Sequence, residues 1–179
     1  MNKKLKLEEL NRLSIEDFKK SEKDPIIILL DNVRSLHNIG SVFRTCDAMG
    51  VNKVYLCGIT AQPPHREIRK TAIGATESVD WEYAENALEV LEKYKNLDYS
   101  LIAVEQTSNS IYLENYSHNN RKTLLIFGNE IDGVSQKLID KCECSLEIPQ
   151  WGTKHSMNIS VTTGIVIWTL KMQKLSKKQ

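Results

Sequence analysis

One continuous run of apolar residues, positions 26–30 (Ile-Ile-Ile-Leu-Leu), limits what this chain can fold into. A strand with one face in water alternates apolar and polar residues, whereas a strand that is apolar throughout is buried on both faces. Such strands belong to parallel sheets that carry helices on both sides. The run is too short to cross a bilayer, so we expect no membrane partner.

Further apolar runs alternate with segments of helical periodicity, which predicts an α/β fold with a mostly parallel sheet and helices on both faces. Residues 1–24 are predicted to be a short helical extension and residues 25–179 one domain, with Ser14 capping a helix. Further strands are predicted at residues 53–57, 99–104, 123–127 and 144–148, and helices at 38–49, 66–73, 84–94, after Ser135, and at 156–172.

Basic residues are clustered, although the formal net charge is only +1. Arg66, Arg69 and Lys70 lie together before a glycine and could bind nucleic-acid phosphates. The alternative is a solvated helix face, which is the usual fate of a charge run. Other basic clusters occur at Lys3, Lys4 and Lys6, at Arg121 and Lys122, and at Lys171, Lys174, Lys177 and Lys178.

Cysteine and histidine spacing gives no sign of a metal site. Only Cys142 and Cys144 are close, and one intervening residue is fewer than the two to four of a zinc knuckle. We expect reduced, partly buried thiols and no metal. The N-terminus lacks the apolar stretch of a signal peptide, so a cytoplasmic protein is expected. Glycine-rich dinucleotide and Walker motifs are absent, which disfavours dehydrogenases and P-loop NTPases.

Three polar blocks each follow a strand-like run. Open α/β sheets bind ligands at the carboxyl ends of their strands, so the blocks mark a candidate active site. They are Asn38-Ile39-Gly40-Ser41-Val42-Phe43-Arg44, then Phe127-Gly128-Asn129-Glu130, and finally Ile148-Pro149-Gln150-Trp151-Gly152 leading into Ser156-Met157-Asn158.

In order and content these blocks resemble the motifs of the SpoU/TrmH family of RNA 2′-O-ribose methyltransferases, in the SPOUT superfamily. Those motifs read roughly Asn-x-Gly-x-x-x-Arg, Gly-Asn-Glu, and Ile-Pro-x-x-Gly followed by Ser-Leu-Asn. The resemblance covers about residues 26–170. Met157 replaces the usual leucine, and Thr162, Thr163, Ile131 and Asp132 also depart from the pattern, but no polar motif residue is missing.

The resemblance implies a homodimer whose active site is completed near the subunit interface. It also implies a C-terminal trefoil knot spanning roughly residues 123–170, an exception to the rule that chains do not thread. Loops of the knot would bind S-adenosylmethionine. Gly128 and Gly152 suit a close ligand approach, although both could be turn glycines. The matching cofactor positions are Val104, Glu105, Phe127, Gly128, Asn129, Ile148, Gln150, Gly152 and Met157.

Arg44 matches the family's arginine, which is thought to activate the ribose hydroxyl. A guanidinium stays protonated, so we prefer that it stabilises the developing alkoxide or holds a phosphate. The general base could be either a phosphate oxygen or water, and the sequence does not decide between them. The spacing from Asn38 predicts that both residues border one cavity. The alternative for Arg44 is a surface pair with Asp47.

The remaining motif residues have both catalytic and structural interpretations. Asn38 could orient Arg44 or the nucleotide, or cap the helix that follows. Glu130 could hold Arg44 or the dimer partner, or favour a helix N-terminus through the dipole. Ser156 and Asn158 match the motif's serine and asparagine, and one of them is expected to cap the last helix.

The sequence therefore predicts an S-adenosylmethionine-dependent RNA 2′-O-ribose methyltransferase. Transfer RNA is favoured as the substrate, because relatives acting on ribosomal RNA often carry an N-terminal RNA-binding domain and only about 25 residues precede the first strand here. The alternatives are a ribosomal RNA enzyme and a catalytically silent RNA-binding homologue. A small-molecule or protein methyltransferase is disfavoured by the complete motif set.

Overall fold

A computed structural model describes residues 1–176, and Lys177 and Lys178 lie outside them. Seven strands form one sheet in the order β3-β2-β1-β6-β4-β7-β5, and every pairing between them is parallel. The strands are β1 (Asp24–Asp31), β2 (Val51–Cys57), β3 (Asp80–Ala84), β4 (Ser100–Val104), β5 (Ile111–Tyr112), β6 (Thr123–Phe127) and β7 (Cys144–Glu147).

Helices connect most of these strands. Within residues 1–176, no helix is both long enough and apolar enough to span a membrane. The helices are α1 (Ile15–Lys20), α2 (Leu36–Ala48), α3 (Arg66–Ala72), α4 (Ala75–Ser78), α5 (Ala87–Lys95), α6 (Gln136–Ile139) and α7 (Ile159–Ser176), with short 3-10 turns at Leu7–Leu10 and Leu113–Asn115.

The apolar run of β1 is buried on both faces of the sheet. Ile26, Ile28 and Leu30 pack in a core that α2, α3 and α7 cover, whereas Ile27 and Leu29 pack in a second core under α5 and α6. All five side chains are at most 2% exposed. The predicted α/β fold, with a parallel sheet covered on both sides, is confirmed.

Two edge strands were not predicted from the sequence, and the reason is physical. The strand β3 borders the sheet and is mostly exposed, so its sequence, Asp-Trp-Glu-Tyr-Ala, lacks an apolar run. Ala84 was assigned to a helix, which is wrong: it ends β3, and Asn86 caps α5 by accepting from the backbone N–H of Leu88. The other missed strand, β5, is only two residues long and lies at the opposite edge.

The sheet has a switch point between its neighbouring strands β1 and β6. The chain leaves β1 towards α2 on one face and leaves β6 towards α6 on the other, which opens a crevice between the two loops. The buried carboxylate of Asp31 accepts hydrogen bonds from the backbone and hydroxyl of Ser135, so this hydroxyl does not cap α6 as predicted. Burial raises the pKa of Asp31 despite these donors.

Candidate active site

A cleft of about 610 Å³ lies at the carboxyl ends of β4, β6 and β7. Its volume is within the range of roughly 300–1,000 Å³ that small-molecule sites occupy. The loops after these three strands form most of its wall, and the first turns of α2 and α7 complete it through Asn38 and Asn158. The cleft therefore joins residues from all three polar blocks.

A chain of hydrogen bonds links the three blocks across this cleft. The carboxylate of Glu130 accepts from the backbone N–H groups of Arg34 and Ser35, both at 3.0 Å, and from Nδ2 of Asn38 at 3.1 Å. Nδ2 of Asn158 in turn donates to Oδ1 of Asn38 at 2.9 Å. These contacts fix the starts of α2 and α7 relative to the loop after β6.

The amide of Asn38 is available because another residue caps α2. The predicted capping role belongs to Ser35, whose hydroxyl oxygen accepts from the backbone N–H of Asn38 at 3.2 Å. At the start of α7 the expected cap is Asn158, whose Oδ1 accepts from the backbone N–H of Ser160 at 2.9 Å. The helix begins at Ile159 rather than at Ser156, so Ser156 stays in the cleft-lining loop.

Both carboxylate oxygens of Glu130 take part in this arrangement, and the donors favour its ionised form. Burial raises the pKa of its carboxyl group, but the N–H donors of Arg34 and Ser35 and the amide of Asn38 lower it by more, so the net shift is downward. Stabilising a helix N-terminus, here that of α2, is the role the geometry supports for Glu130. No contact joins Glu130 to Arg44 among the described residues.

The loop after β6 is too tight for side chains at two of its positions. A Cβ on Gly128 would come within 2.0–2.2 Å of backbone atoms of Gly133 and Val134. Gly133 has φ +66° and faces the carboxylate of Glu105, which accepts from the backbone N–H of Val134 at 2.9 Å. Gly128 is thus required by packing within the chain, before any ligand is considered.

Gln106 was not identified from the sequence, yet it joins two walls of the cleft. Its Nε2 donates to the backbone oxygen of His155 at 2.6 Å, which ties the loop after β4 to the loop after β7. A single glutamine outside any motif gives no sequence signal, because its role depends on a partner 49 residues away.

The cleft lining is acidic, with carboxylates from Glu105, Glu130, Asp132 and Glu147 and no lysine or arginine among the lining residues. Such a site favours a ligand that carries positive charge. Apolar side chains supply the rest of the wall, from Val104, Phe127, Leu146, Ile148, Met157 and Ile159. Among residues 1–176, no group of three or more metal-binding side chains is assembled.

Comparison with known proteins decides the family. Residues 25–168 match the family model described as SpoU rRNA Methylase family. This chain belongs to the SpoU methylase family. The resemblance predicted from the three motifs is thereby confirmed.

Relatives within the SpoU family include two kinds of RNA-modifying enzyme. A tRNA (guanosine(18)-2′-O)-methyltransferase of Aquifex aeolicus is 32% identical over 168 residues, covering 90% of this chain and 75% of the relative. The 23S rRNA (guanosine-2′-O-)-methyltransferase RlmB of Neisseria meningitidis serogroup B is 29% identical, covering 94% of this chain and 67% of the relative.

Solved SpoU structures share the fold. The A. aeolicus TrmH/SpoU tRNA modifying enzyme superposes with a TM-score of 0.80 at 27% identity, covering 92% of this chain and 84% of that one. The SpoU methyltransferase AviRb of Streptomyces viridochromogenes, solved with AdoMet, also has a TM-score of 0.80, at 22% identity over 89% of this chain and 64% of that one.

Most of the SpoU motif residues meet at the cleft. Gly152 does not line it, and a Cβ there would have no protein atom within 4 Å, so nothing inside the chain requires this glycine. The predicted site residues that do line the cleft are Asn38, Glu130, Ser156 and Asn158, together with Val104, Glu105, Phe127, Gly128, Asn129, Ile148, Gln150 and Met157.

Arg44, the SpoU motif arginine, lies outside this cleft in a single copy of the chain. It stands six positions after Asn38 on α2, a rotation of about 600° at 3.6 residues per turn, so the two side chains leave the helix on different sides. The prediction that both border one cavity within the chain is wrong. Arg44 is exposed and forms no ion pair with Asp47, which instead accepts from the hydroxyl of Ser78.

The basic residues predicted to bind RNA lie together on α3, outside the cleft. Arg66, Arg69 and Lys70 line a shallow surface with Pro64 and His65. Glu67 on the same helix pairs with Lys70 at 2.8 Å, which offsets part of the positive charge.

Proposed function

We propose that this chain transfers the methyl group of S-adenosylmethionine to a ribose 2′-hydroxyl of RNA. The hydrogen-bonded chain of Glu130, Asn38 and Asn158, which joins all three SpoU motifs at one acidic cleft, carries this proposal. Both named relatives are RNA guanosine 2′-O-methyltransferases, which supports the same reaction for this member of the family.

The cleft fits the cofactor by chemistry. Its carboxylates match the positive sulfonium and ammonium groups, and its apolar walls match the adenine ring. Bound there, S-adenosylmethionine supplies an electrophilic methyl group. The loops after β4, β6 and β7 would hold it. Two hydrogen bonds join these loops to one another, between Glu105 and Val134 and between Gln106 and His155.

Arg44 supplies the positive charge that the cleft lacks. Its guanidinium cannot take a proton from the ribose hydroxyl, because it is already protonated. We therefore propose that it stabilises the negative charge that develops on the ribose oxygen, or that it binds the adjacent phosphate. The proton leaves to water or to a phosphate oxygen. Because Arg44 lies outside the cleft of its own chain, this role requires the cleft of a second copy.

We accordingly propose a homodimer formed through α7 and the end of α2. Val161, Ile165 and Trp168 form a helically spaced stripe and are 52%, 37% and 53% exposed. Trp168 and Ile165 border one shallow surface with Arg44. A second copy related by a two-fold axis would cover this apolar surface and place each Arg44 at the interface.

A knotted C-terminal region is part of the same proposal. The chain from β7, in the outer half of the sheet, returns to α7, which packs on α2 in the core that also contains the interior strand β1. On the way it passes the loops after β4 and β6 and is fastened to Gln106. This path supports threading of roughly residues 123–170.

Transfer RNA is the substrate that we propose first, with Arg66, Arg69 and Lys70 contacting its phosphates. Ribosomal RNA is the second candidate, because the RlmB relative is nearly as similar as the transfer RNA enzyme. A cytoplasmic location stays a prediction.

The deciding experiment is transfer of radiolabelled methyl to unmodified total transfer RNA and, separately, to unmodified ribosomal RNA. Ribose methylation protects the following phosphodiester, so label should appear in nuclease-resistant dinucleotides from one pool. Cofactor binding without label in either pool would contradict RNA methylation of these classes. Absence of cofactor binding would favour the silent RNA-binding homologue.

Subunit mixing tests whether Arg44 acts across the interface. Arg44→Ala and Asn158→Ala chains are each expected to be inactive alone. In a mixed dimer, Arg44 of one copy and Asn158 of the other complete one intact site, so activity should return. If Arg44 serves its own chain, every site in the mixed dimer keeps a defect and no activity returns.

A further inference from the structure

Two apolar side chains at the cleft are unusually exposed. Trp151 is 92% exposed and Ile131 is 75% exposed, and apart from Met1 these are the highest values for large apolar side chains among the described residues. Ile131 lines the cleft, and Trp151 directly follows Gln150, which also lines it. The two exposed side chains therefore belong to two different loops of one site.

An indole in water leaves a large apolar surface uncovered, since an aromatic side chain buries about 150–250 Å² when it is packed. The core clusters contain neither Trp151 nor Ile131, so packing within the described chain does not explain their identity. The loop from Gln150 to Ser156 is exposed at every position. Both side chains are therefore accessible to a molecule that approaches the cleft.

The chemistry beside Trp151 suits a nucleotide. Lys154 lies in the same exposed loop and forms no ion pair within residues 1–176, so its charge is available to a phosphate. Proteins bind unpaired RNA bases by stacking them on aromatic side chains while cations meet the backbone. The acidic lining of the cleft would repel the phosphates of RNA. We therefore expect RNA to bind at the entrance of the cleft and not inside it.

We infer that Trp151 stacks on an unpaired RNA base at the cleft mouth and positions the nucleotide to be methylated. Ile131 borders the same base from the loop after β6, and Lys154 binds a neighbouring phosphate. This inference rests on the proposed function, because it takes RNA as the substrate of this cleft.

The test compares Trp151→Ala, Trp151→Phe and a control, Ile59→Ala. Ile59 is also a well-exposed apolar residue, at 62%, but it does not line the cleft. For the RNA pool that accepts methyl, Trp151→Ala should lower kcat/KM by about 5- to 160-fold, the range that base stacking supplies. Trp151→Phe should restore most of the loss, Ile59→Ala should change nothing, and the Kd for S-adenosylmethionine should stay within about two-fold.

A direct readout separates this inference from the proposed function. Titration with a short single-stranded oligoribonucleotide should quench the fluorescence of the wild-type protein, and Trp151→Phe should remove that quenching. Quenching without methyl transfer to either RNA pool would keep the stacking role and refute the proposed reaction. Methyl transfer that Trp151→Ala leaves unchanged would refute the stacking role alone.

Two further outcomes would also overturn the inference. A Kd for S-adenosylmethionine that Trp151→Ala raises more than ten-fold would place the indole against the cofactor. A change in sedimentation of Trp151→Ala would make the side chain a subunit contact.

Discussion

Glu130 illustrates how a motif residue can act on the fold rather than on the substrate. Both of its carboxylate oxygens accept hydrogen bonds, from Arg34, Ser35 and Asn38, and these donors attach Glu130 to the start of α2. Charge-assisted bonds to backbone N–H groups at a helix start are strong and favour the ionised form. We propose that Glu130 serves catalysis by holding Asn38 in place.

Glu130→Gln should lower the free energy of unfolding by about 1 kcal/mol at neutral pH, a value that allows for the partial exposure of Glu130. The pKa of Glu130 is lowered in the fold, so its stabilisation is complete above the ordinary value of 4.5 and is lost as pH falls through the lowered value. Urea unfolding from pH 7 to 3 should show the two proteins converging. A gap that stays constant with pH would contradict this account.

Arg44→Ala should lower turnover by about 10²- to 10³-fold, the cost of removing a donor that stabilises developing negative charge. The Kd for S-adenosylmethionine should change only a few fold, because Arg44 does not line the acidic cleft. Calorimetry and methyl transfer measure the two quantities separately. Arg44→Lys, which keeps the charge but not the planar fork, should be intermediate. Loss of cofactor binding would instead place Arg44 in the cofactor site.

At the scale of elements, the loop after β6 is held by close backbone packing. Gly128 lies against Gly133 and Val134, and Glu105 from the neighbouring strand end accepts from Val134. The loop after β7 has no such constraint at Gly152. Two glycines that look alike in the motifs therefore have different physical roles.

Gly128→Ala and Gly152→Ala form a matched pair that tests this difference. The alanine Cβ at 128 would overlap the backbone, so stability should fall by about 1–3 kcal/mol and cofactor affinity should fall with it. Gly152→Ala should leave stability within about 0.5 kcal/mol. Thermal unfolding and calorimetry give both quantities. Equal destabilisation by the two variants would refute the packing explanation.

The exposed stripe on α7 and the position of Arg44 outside the cleft both support the proposed homodimer. The acidic cleft has no lysine or arginine among its lining residues that could stabilise a developing alkoxide by positive charge, and the motif arginine lies on another surface. A second copy would meet both needs, because the interface that covers Trp168 also places Arg44 at the boundary.

Trp168→Glu should convert the proposed dimer into monomers at micromolar concentration, because a buried unpaired charge at an interface is strongly unfavourable. Leu97→Glu is the matched control: Leu97 is 51% exposed, close to the 53% of Trp168, and follows α5 on the opposite face of the sheet. Sedimentation measures both. A wild-type monomer with full activity would refute the shared site.

The α/β class and the order of the motifs could be predicted from the sequence alone. The continuous apolar run of β1 and the helical periodicities are local properties of the sequence. The α/β class could therefore be predicted from residues 26–30 and from the similar apolar runs farther along the chain. Three ordered motifs likewise identified the family and most cleft residues. Edge strands such as β3 were missed because partial exposure removes the apolar pattern.

Which residues meet in the cleft depends on how distant parts of the chain pack. Glu130 binds the start of α2, about 95 residues earlier in the chain, and Gln106 reaches His155, so neither role has a local signature. Because Ser35 caps α2, the side chain of Asn38 can line the cleft. Arg44 leaves the same helix on a different side and lies on another surface. Spacing fixes a residue's angle on its own helix, whereas its partners depend on how distant elements pack.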